Sequence, residues 1–123
     1  MIYGIGIDII KIERMRAAVE RWGSRFLQRV FTENEIAYAY GKKDPYLSLS
    51  VRFAAKEALI KAIGSEIPAS LSDIEVMNQG NGRPFIKVKG DLETFFTRKS
   101  LRTAHVSLSH EREYGVACVV VET

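Results

Sequence analysis

The stretch from Tyr46 to Ile63 constrains the fold most strongly, because it runs eighteen residues without a glycine or a proline. Alanine occurs in it four times and leucine three times, and both favour helix. Gly64 follows at once, in the place where a helix commonly ends with a left-handed residue. We therefore predict one long helix over this stretch.

The segments around this helix predict strands that are joined mainly by hairpins. We predict strands at 2–9, 71–79, 83–89, 103–110 and 114–122, a helix from about Ile12, a second helix capped by Thr32 and Glu35, and a short helix over 90–100 with Asp91 near its start. Helices mixed with hairpin-connected strands indicate an α+β fold, with a mainly antiparallel sheet packed against the long helix and shorter helices. No repeat or linker divides the chain, so 1–123 is predicted to be one domain.

Composition narrows the class of protein. No apolar run reaches the roughly eighteen residues of a membrane span. The N-terminus lacks the basic leader of a signal peptide and is predicted to be a strand. The single cysteine, Cys118, lies in the apolar run YGVACVVVE and is predicted to be a buried, inert thiol. One free thiol without an export signal predicts a cytoplasmic location.

Positive charge is concentrated near the N-terminus. Between Lys11 and Arg29 lie six basic and two acidic residues, a net charge of +4, against +3 for the whole chain. Such a patch favours an acidic partner. Three classes fit: a nucleic acid, a phosphate-bearing ligand and an acidic protein.

Asp8 is the first candidate for chemistry. Gly4 and Gly6 share its strand face, so we predict open space beside the carboxylate, as a hydrated cation or a phosphate ligand requires. The alternative is that Asp8 only ends the strand and caps the next helix.

Glu57 and Lys61 lie one turn apart on the long helix. An exposed pair of this kind is worth only about 0.2–0.5 kcal/mol and needs no function. Phe53 and Ile60 lie on or beside the same face, which indicates that the pair faces something other than bulk water. With Asp8, Glu57 gives two carboxylates that can hold Mg²⁺ together with water and phosphate oxygens.

Two further motifs carry weaker signals. His105, Ser107 and Ser109 share one strand face, where His105 can bind a phosphate or move a proton, or have only a structural role. Arg83, between Gly82 and Pro84, belongs to a turn that can also present a guanidinium to a phosphate. No nucleophile-elbow motif surrounds any serine.

The motifs that carry a family resemblance are, in order along the chain, GIGIDIIKIERM, RVFTENEI, RFAAKEALIKAIG, GNGRPFI and HVSLSH. Through them, the chain resembles the 4′-phosphopantetheinyl transferase superfamily, in its small, single-domain bacterial branch. The resemblance implies the fold of that superfamily. It also implies transfer of the 4′-phosphopantetheine arm of coenzyme A to a serine of apo-acyl carrier protein, with release of adenosine 3′,5′-bisphosphate, a step that serves fatty acid biosynthesis.

The resemblance also assigns residues. The Mg²⁺ ligands fall on Asp8 and Glu57, and the helix lysine of the family falls on Lys61, so these three are the predicted catalytic residues. The candidates for contact with coenzyme A are Arg52, Lys61, Gly64, Gly82, Arg83, Pro84 and His105, with the 3′-phosphate the expected ligand of Arg52 and His105.

The basic segment fits a carrier protein, which is small and acidic. Arg14, Arg21 and Arg25 lie near one helical stripe if the helix continues through Gly23, and Met15 or Phe26 would add apolar contact. The alternative is that these arginines only solvate a helix face. By resemblance we also expect a homotrimer with active sites between subunits, and the last strand, apolar on both faces, is compatible with it.

Two rival hypotheses remain at this stage. A small nucleic-acid-binding module would interleave aromatic residues among the arginines on an exposed face, whereas Trp22 and Phe26 are both predicted to face the core. An inactive homologue would lack one of the three catalytic residues, and all three are present.

Overall fold

The computed structural model describes all residues from 1 to 123. Its elements are β1 (Ile2–Lys11), α1 (Ile12–Val30), α2 (Glu33–Tyr40), α3 (Pro45–Ala62), a 3₁₀ turn (Leu71–Asp73), β2 (Ile74–Asn78), β3 (Pro84–Val88), α4 (Gly90–Arg98), β4 (Thr103–His110) and β5 (Tyr114–Glu122). Every predicted helix and strand is present. No helix is both long enough and apolar enough to cross a bilayer.

The strands form two antiparallel sheets. One has three strands in the order β1-β5-β4, and the other is the β2–β3 hairpin. The long helix α3 packs on one face of the three-stranded sheet, where the inward residues of β5 are fully buried against its alanines. The predicted α+β class is therefore confirmed, with α3 as the centre of the core.

The glycines of β1 let the strand lie directly on α3. A methyl group at Gly4 would lie 1.8 Å from the carbonyl oxygen of Ala62, and one at Gly6 would lie 1.8 Å from that of Ala58. The predicted open space beside Asp8 is therefore wrong, because α3 fills it. Asp8 also caps no helix, since α1 begins after Lys11 without a side-chain cap. The two glycines instead bring Asp8 close to the residues of α3.

The other face of the three-stranded sheet is apolar and uncovered. Ile5, Ile7 and Ile9 of β1 are each about 60% exposed, and the outward side chains of β5 continue this face. Cys118 is one of them, so it is half-buried and not fully buried as predicted. An exposed apolar face of this size is typical of an interaction surface.

Helix α1 bends at Gly23, which has φ 60° and ψ −142°. Val19 and Leu27 belong to the buried stripe of α1, and Gly23 lies midway between them, four positions from each. Trp22 falls beside this stripe and is 58% exposed, so the prediction that it faces the core is wrong. The regular stripe predicted for Arg14, Arg21 and Arg25 is also interrupted by the bend.

A buried ion pair joins α3 to α2. Thr32 and Glu35 form the predicted capping box, and Glu35 also accepts a hydrogen bond from Lys56 Nζ at 2.6 Å, with both side chains fully buried. The ammonium group donates further to the carbonyl oxygens of Val30 at 2.8 Å and Leu71 at 3.0 Å. The pair therefore connects α3 with the end of α1, the start of α2 and the 3₁₀ turn.

Substitution of Lys56 by methionine should lower the free energy of unfolding by about 3–5 kcal/mol, because Glu35 would remain buried without its partner. Urea denaturation measures the change. Lys43→Met is the control, since Lys43 is exposed, and should change stability by less than about 0.5 kcal/mol. A loss below about 1 kcal/mol for Lys56→Met would show that the fold does not depend on the pair.

Candidate active site

Strand β1 and helix α3 bring the three predicted catalytic residues together. Lys61 Nζ lies 3.1 Å from Asp8 Oδ1 and donates a hydrogen bond to the carbonyl oxygen of Ile7 at 2.9 Å. Its salt bridge thus crosses from the helix to the strand, and does not run along the helix to Glu57. A contact between residues 53 positions apart cannot be an ordinary pair on one helix surface.

Asp8 and Glu57 line the same cavity, which has a volume of about 310 Å³. Phe53 lies one turn before Glu57 and forms part of the wall, as the sequence predicts. The remaining lining residues come from β1 and α1: Ile9, Ile10, Arg14, Met15, Ala18 and Phe26. The two carboxylates therefore face a mainly apolar pocket, and the basic helix α1 forms part of its wall.

The pKa of Glu57 is raised above its ordinary value. Burial is the largest cause, the negative charge of Asp8 adds to it, and the positive charge of Lys61 partly offsets it. Two carboxylates that share a partly buried pocket repel each other, and a cation between them removes that cost.

The donor set fits Mg²⁺ better than a transition metal. No cluster of three or more histidine, cysteine, aspartate or glutamate side chains is present, so Asp8 and Glu57 would be the only charged ligands of a cation in this cavity. Mg²⁺ is commonly held by one or two carboxylates, with water and substrate phosphate oxygens in the other positions. Zinc sites, in contrast, usually need three or four nitrogen or sulfur ligands from the protein.

Arg52 lies five positions before Glu57 on α3 and is only 3% exposed. Burial lowers its pKa, and its guanidinium lies 4.3 Å from the ring centroid of Tyr38. It lines a second cavity, of about 430 Å³, together with Tyr38, Lys42, Asn78 and His110. Contact of Arg52 with the 3′-phosphate stays a prediction. Because Arg52 is buried and lines this cavity, the phosphate would have to enter the cavity to reach it.

The other predicted coenzyme residues lie outside the cavity of Asp8 and Glu57. Gly64 follows α3 with φ 74°, which confirms the predicted left-handed end. Gly82, with φ 88°, and Arg83 are exposed in the β2–β3 turn, and Pro84 begins β3. The structure thus places these residues on two separate loops.

His105 lies on the opposite face of the sheet from Asp8. In the strand register His105 pairs with Val120 on the open face, whereas Asp8 pairs with Ala117 on the face that packs against α3. The ring nitrogen Nε2 of His105 contacts Glu122 Oε1 at 2.5 Å. Within one chain the two residues cannot share a site.

The predicted carrier-protein residues divide into two groups. Arg14, Met15 and Phe26 line the cavity of Asp8 and Glu57, although Met15 is only 2% exposed and offers little surface to a partner. Arg25 and Phe26 line a smaller neighbouring depression of about 220 Å³ with Trp22 and Arg29.

The guanidinium of Arg21 lies 4.9 Å from the ring of Trp22. Sequence analysis missed Trp22, because only the bend at Gly23 exposes it. An exposed aromatic residue among arginines is the feature that a nucleic-acid-binding surface requires, and an acidic protein also suits this surface.

The largest cavity, of about 810 Å³, is not at this chemistry. It lies beside the β4–β5 hairpin, its lining is mostly charged side chains of both signs, and it contains neither Asp8 nor Glu57. The position of the paired carboxylates, and not cavity size, therefore identifies the candidate active site.

Comparison with known sequences shows the family of this chain. The family described as the 4′-phosphopantetheinyl transferase superfamily matches residues 4–119. The holo-[acyl-carrier-protein] synthase of Halothermothrix orenii is 40% identical over 99% of this chain and 98% of its own length. The holo-[acyl-carrier-protein] synthase of Clostridium tetani is 44% identical over 99% of this chain and 97% of its own length.

Solved structures show the same similarity. The holo-[acyl-carrier-protein] synthase of Neisseria meningitidis superposes with a TM-score of 0.92 at 31% identity, covering 100% of both chains. That of Bacillus anthracis, in complex with CoA (3′,5′-ADP), gives 0.82 at 38% identity, covering 100% of this chain and 98% of the other. That of Helicobacter pylori, in complex with coenzyme A, gives 0.83 at 31% identity over 96% and 99%.

Proposed function

Because the chain belongs to the 4′-phosphopantetheinyl transferase superfamily, we propose that it transfers the 4′-phosphopantetheine arm of coenzyme A to a serine of an apo-acyl carrier protein. The products are holo-acyl carrier protein, which fatty acid biosynthesis uses, and adenosine 3′,5′-bisphosphate. The observation that carries the proposal is the shared cavity of Asp8 and Glu57, in a chain similar over nearly its full length to holo-[acyl-carrier-protein] synthases. Residues 1–123 act as one domain in this proposal, and the free thiol of Cys118 is compatible with the reducing conditions of the cytoplasm.

The reaction is a phosphoryl transfer. The serine oxygen of the carrier protein forms a bond to the β-phosphorus of coenzyme A, and the bond from that phosphorus to the bridging oxygen breaks. Glu57 would accept the serine proton as a general base. Lys61, anchored on Asp8, places a positive charge beside the diphosphate.

A magnesium ion would be held by Asp8 and Glu57. When bound, Mg²⁺ supplies neutralisation of the charge on the diphosphate and on the leaving group. The removal of Mg²⁺ by a chelator should therefore abolish transfer.

The nucleotide half of coenzyme A is assigned to the second cavity. Arg52 and Lys42 give its wall two positive charges against the one negative charge of Asp44, and Tyr38 gives it an aromatic side chain. The turn with Gly82, Arg83 and Pro84 follows β2, the strand that contributes Asn78 to this wall. A cationic, partly aromatic cavity suits an adenosine that carries phosphates.

A homotrimer would complete the site. The apolar face with Ile5, Ile7 and Ile9 needs a cover, and a second copy of the chain supplies one. His105 lies on this same face, so assembly is the only way it can approach an Asp8–Glu57 pair, which would then belong to a neighbouring subunit. The active sites would then lie between subunits, with Gly64 and Lys61 from one chain and His105 from the next around one coenzyme A.

The carrier protein would dock on α1. Arg14 lines the catalytic cavity, and Arg25 lines the neighbouring depression. Arg21 adds a positive charge next to Trp22, which lines the same depression. Phe26 links the two depressions and offers apolar contact beside these charges. An acidic helix is complementary to such a surface, and the charges speed and orient its binding.

Substitution of Arg14 by glutamate should raise the KM for the carrier protein by at least about tenfold while the KM for coenzyme A changes by less than about twofold, because in this proposal Arg14 pairs with an acidic group of the carrier protein and not with coenzyme A. Steady-state kinetics with each substrate varied in turn measure the split. Arg98→Glu on α4 makes the same change of charge away from both cavities and should leave both constants unchanged. Equal increases in the two KM values for Arg14→Glu would reject the docking surface.

The proposed activity is tested by mass spectrometry of the carrier protein after incubation with the enzyme, coenzyme A and Mg²⁺. A gain equal to the mass of one phosphopantetheine group, dependent on the enzyme, supports the proposal. An unchanged carrier protein, when a known holo-[acyl-carrier-protein] synthase modifies the same preparation, would reject it.

A further inference from the structure

Strand β2 has one edge that no other strand covers. β3 bonds to the opposite edge only, and the backbone N–H and C=O groups of Val76 point away from it. Two charged side chains bind these two backbone groups instead. Glu35 Oε2 accepts a hydrogen bond from Val76 N at 2.7 Å, and Arg52 Nε donates one to Val76 O at 3.0 Å. Arg52 therefore ties the β2–β3 hairpin to α3, the helix of Glu57 and Lys61.

The guanidinium of Arg52 is held on several sides. Nη1 donates to Ser48 Oγ at 2.8 Å, and Nη2 donates to Asn78 Oδ1 at 2.6 Å. The ring of Tyr38 packs against its face. Because the guanidinium is planar and has this many partners, it is held in one position. Its hydrogen bond to Asn78 Oδ1 in turn fixes the position of the Asn78 side chain.

Asn78 passes the contact on to the hairpin turn. Its Nδ2 donates to the carbonyl oxygen of Gly82 at 2.8 Å, across a turn in which Gln79 and Arg83 are also hydrogen-bonded. One side chain thus connects Arg52 at the cavity wall with the turn that leads into Pro84. We call the chain of contacts Arg52–Asn78–Gly82 the Arg52 relay.

The relay lies between the second cavity and the exposed turn. Arg52 and Asn78 both line the cavity, whereas Gly82 and Arg83 are exposed beyond it. The hairpin does not need the two side-chain hydrogen bonds of Asn78 to close, because the backbone hydrogen bonds between Gln79, Gly82 and Arg83 already close it.

We propose that Asn78 is a positioning residue for coenzyme A: its Oδ1 holds the guanidinium of Arg52 in the wall of the second cavity, and its Nδ2 holds the 79–83 turn next to that wall. The inference rests on the proposed function for the identity of the ligand, and on the two hydrogen bonds of Asn78 for the residue. The position lies apart from Asp8 and Glu57, so Asn78 acts on binding and not on the chemical step.

Asn78→Ala should raise the KM for coenzyme A about tenfold, which equals about 1.4 kcal/mol and is a common value for a hydrogen bond to a charged group. The kcat and the KM for the carrier protein should stay within about twofold. Hydrogen exchange followed by mass spectrometry should be faster in residues 79–83 and unchanged elsewhere. Gln79→Ala, at an exposed side chain of the same turn, should change none of these quantities.

Unchanged coenzyme A binding in Asn78→Ala would overturn the inference, and so would equal losses in kcat and in both KM values, since those indicate a general structural defect. If Asn78→Ala does not fold, Asn78→Asp keeps the acceptor for Arg52 and removes the donor to Gly82. Asn78→Asp must then raise the KM for coenzyme A more than Gln79→Asp does, while kcat and the KM for the carrier protein stay within about twofold. Gln79→Asp is the control because it adds the same charge next to the relay. If the wild-type protein transfers nothing, the proposed function fails. Calorimetric binding of coenzyme A and hydrogen exchange still test the relay.

Discussion

Substitution of Glu57 by glutamine is expected to lower kcat by about 10²–10⁴-fold, the range for loss of a general acid–base group. Glutamine keeps the shape of the side chain but cannot accept the serine proton, and it removes one of the two charges that would hold Mg²⁺. The substitution also removes the repulsion between Glu57 and Asp8, which contributes to the raised pKa of Glu57. The variant should therefore be at least as stable as the wild-type protein.

Quenched-flow or steady-state assays of carrier modification measure the loss of activity, and thermal unfolding measures stability. Glu93→Gln, the same substitution at an exposed position of α4, should leave both quantities unchanged. A Glu57→Gln enzyme within about tenfold of wild-type kcat would remove Glu57 from the catalytic role.

Substitution of Gly6 by alanine is expected to cost at least about 3 kcal/mol of the free energy of unfolding, near the upper end of the usual cost of overpacking. The added methyl group would lie 1.8 Å from the carbonyl oxygen of Ala58, which belongs to helix backbone and cannot rotate away. Relief of the clash requires β1 to move from α3, and that movement separates Asp8 from Glu57. Because a displacement of about 1 Å in an active site can cost about 10²-fold, we expect kcat/KM to fall by at least that factor in whatever fraction folds.

Gly80→Ala is the matched control for Gly6→Ala. It adds the same methyl group at an exposed glycine with no other atom within 4 Å, so stability should change by less than about 0.5 kcal/mol. Urea denaturation and the transfer assay measure both variants. Wild-type stability of Gly6→Ala would show that the close approach of β1 to α3 is not needed.

The secondary structure could be predicted from the sequence because its signals are local. The glycine-free run of α3 ending at Gly64, the capping box at Thr32 and Glu35, and the hairpin turn before Pro84 each depend on neighbouring residues. The role of Gly6 could not be predicted in the same way. Whether a glycine leaves open space or admits another backbone depends on what packs against the strand, and sequence pattern does not contain that information.

The candidate site was predictable in its residues and not in its contacts. Residue type and spacing singled out Asp8, Glu57 and Lys61, but the salt bridge of Lys61 goes to Asp8 across 53 positions. Trp22 was placed in the core by helical periodicity, and the bend at Gly23 removed it from the buried stripe. Asn78 has no sequence signal at all, because its importance depends on Arg52 reaching it from another element.

The central claim is that Asp8 and Glu57 together hold one divalent ion beside the diphosphate of coenzyme A. Electron paramagnetic resonance of Mn²⁺, titrated into the wild-type protein with coenzyme A present, tests it without dependence on turnover. We expect one bound Mn²⁺ per chain, with affinity reduced at least about tenfold in both Asp8→Asn and Glu57→Gln, a loss of about 1.4 kcal/mol. Wild-type Mn²⁺ affinity in both variants would contradict the claim.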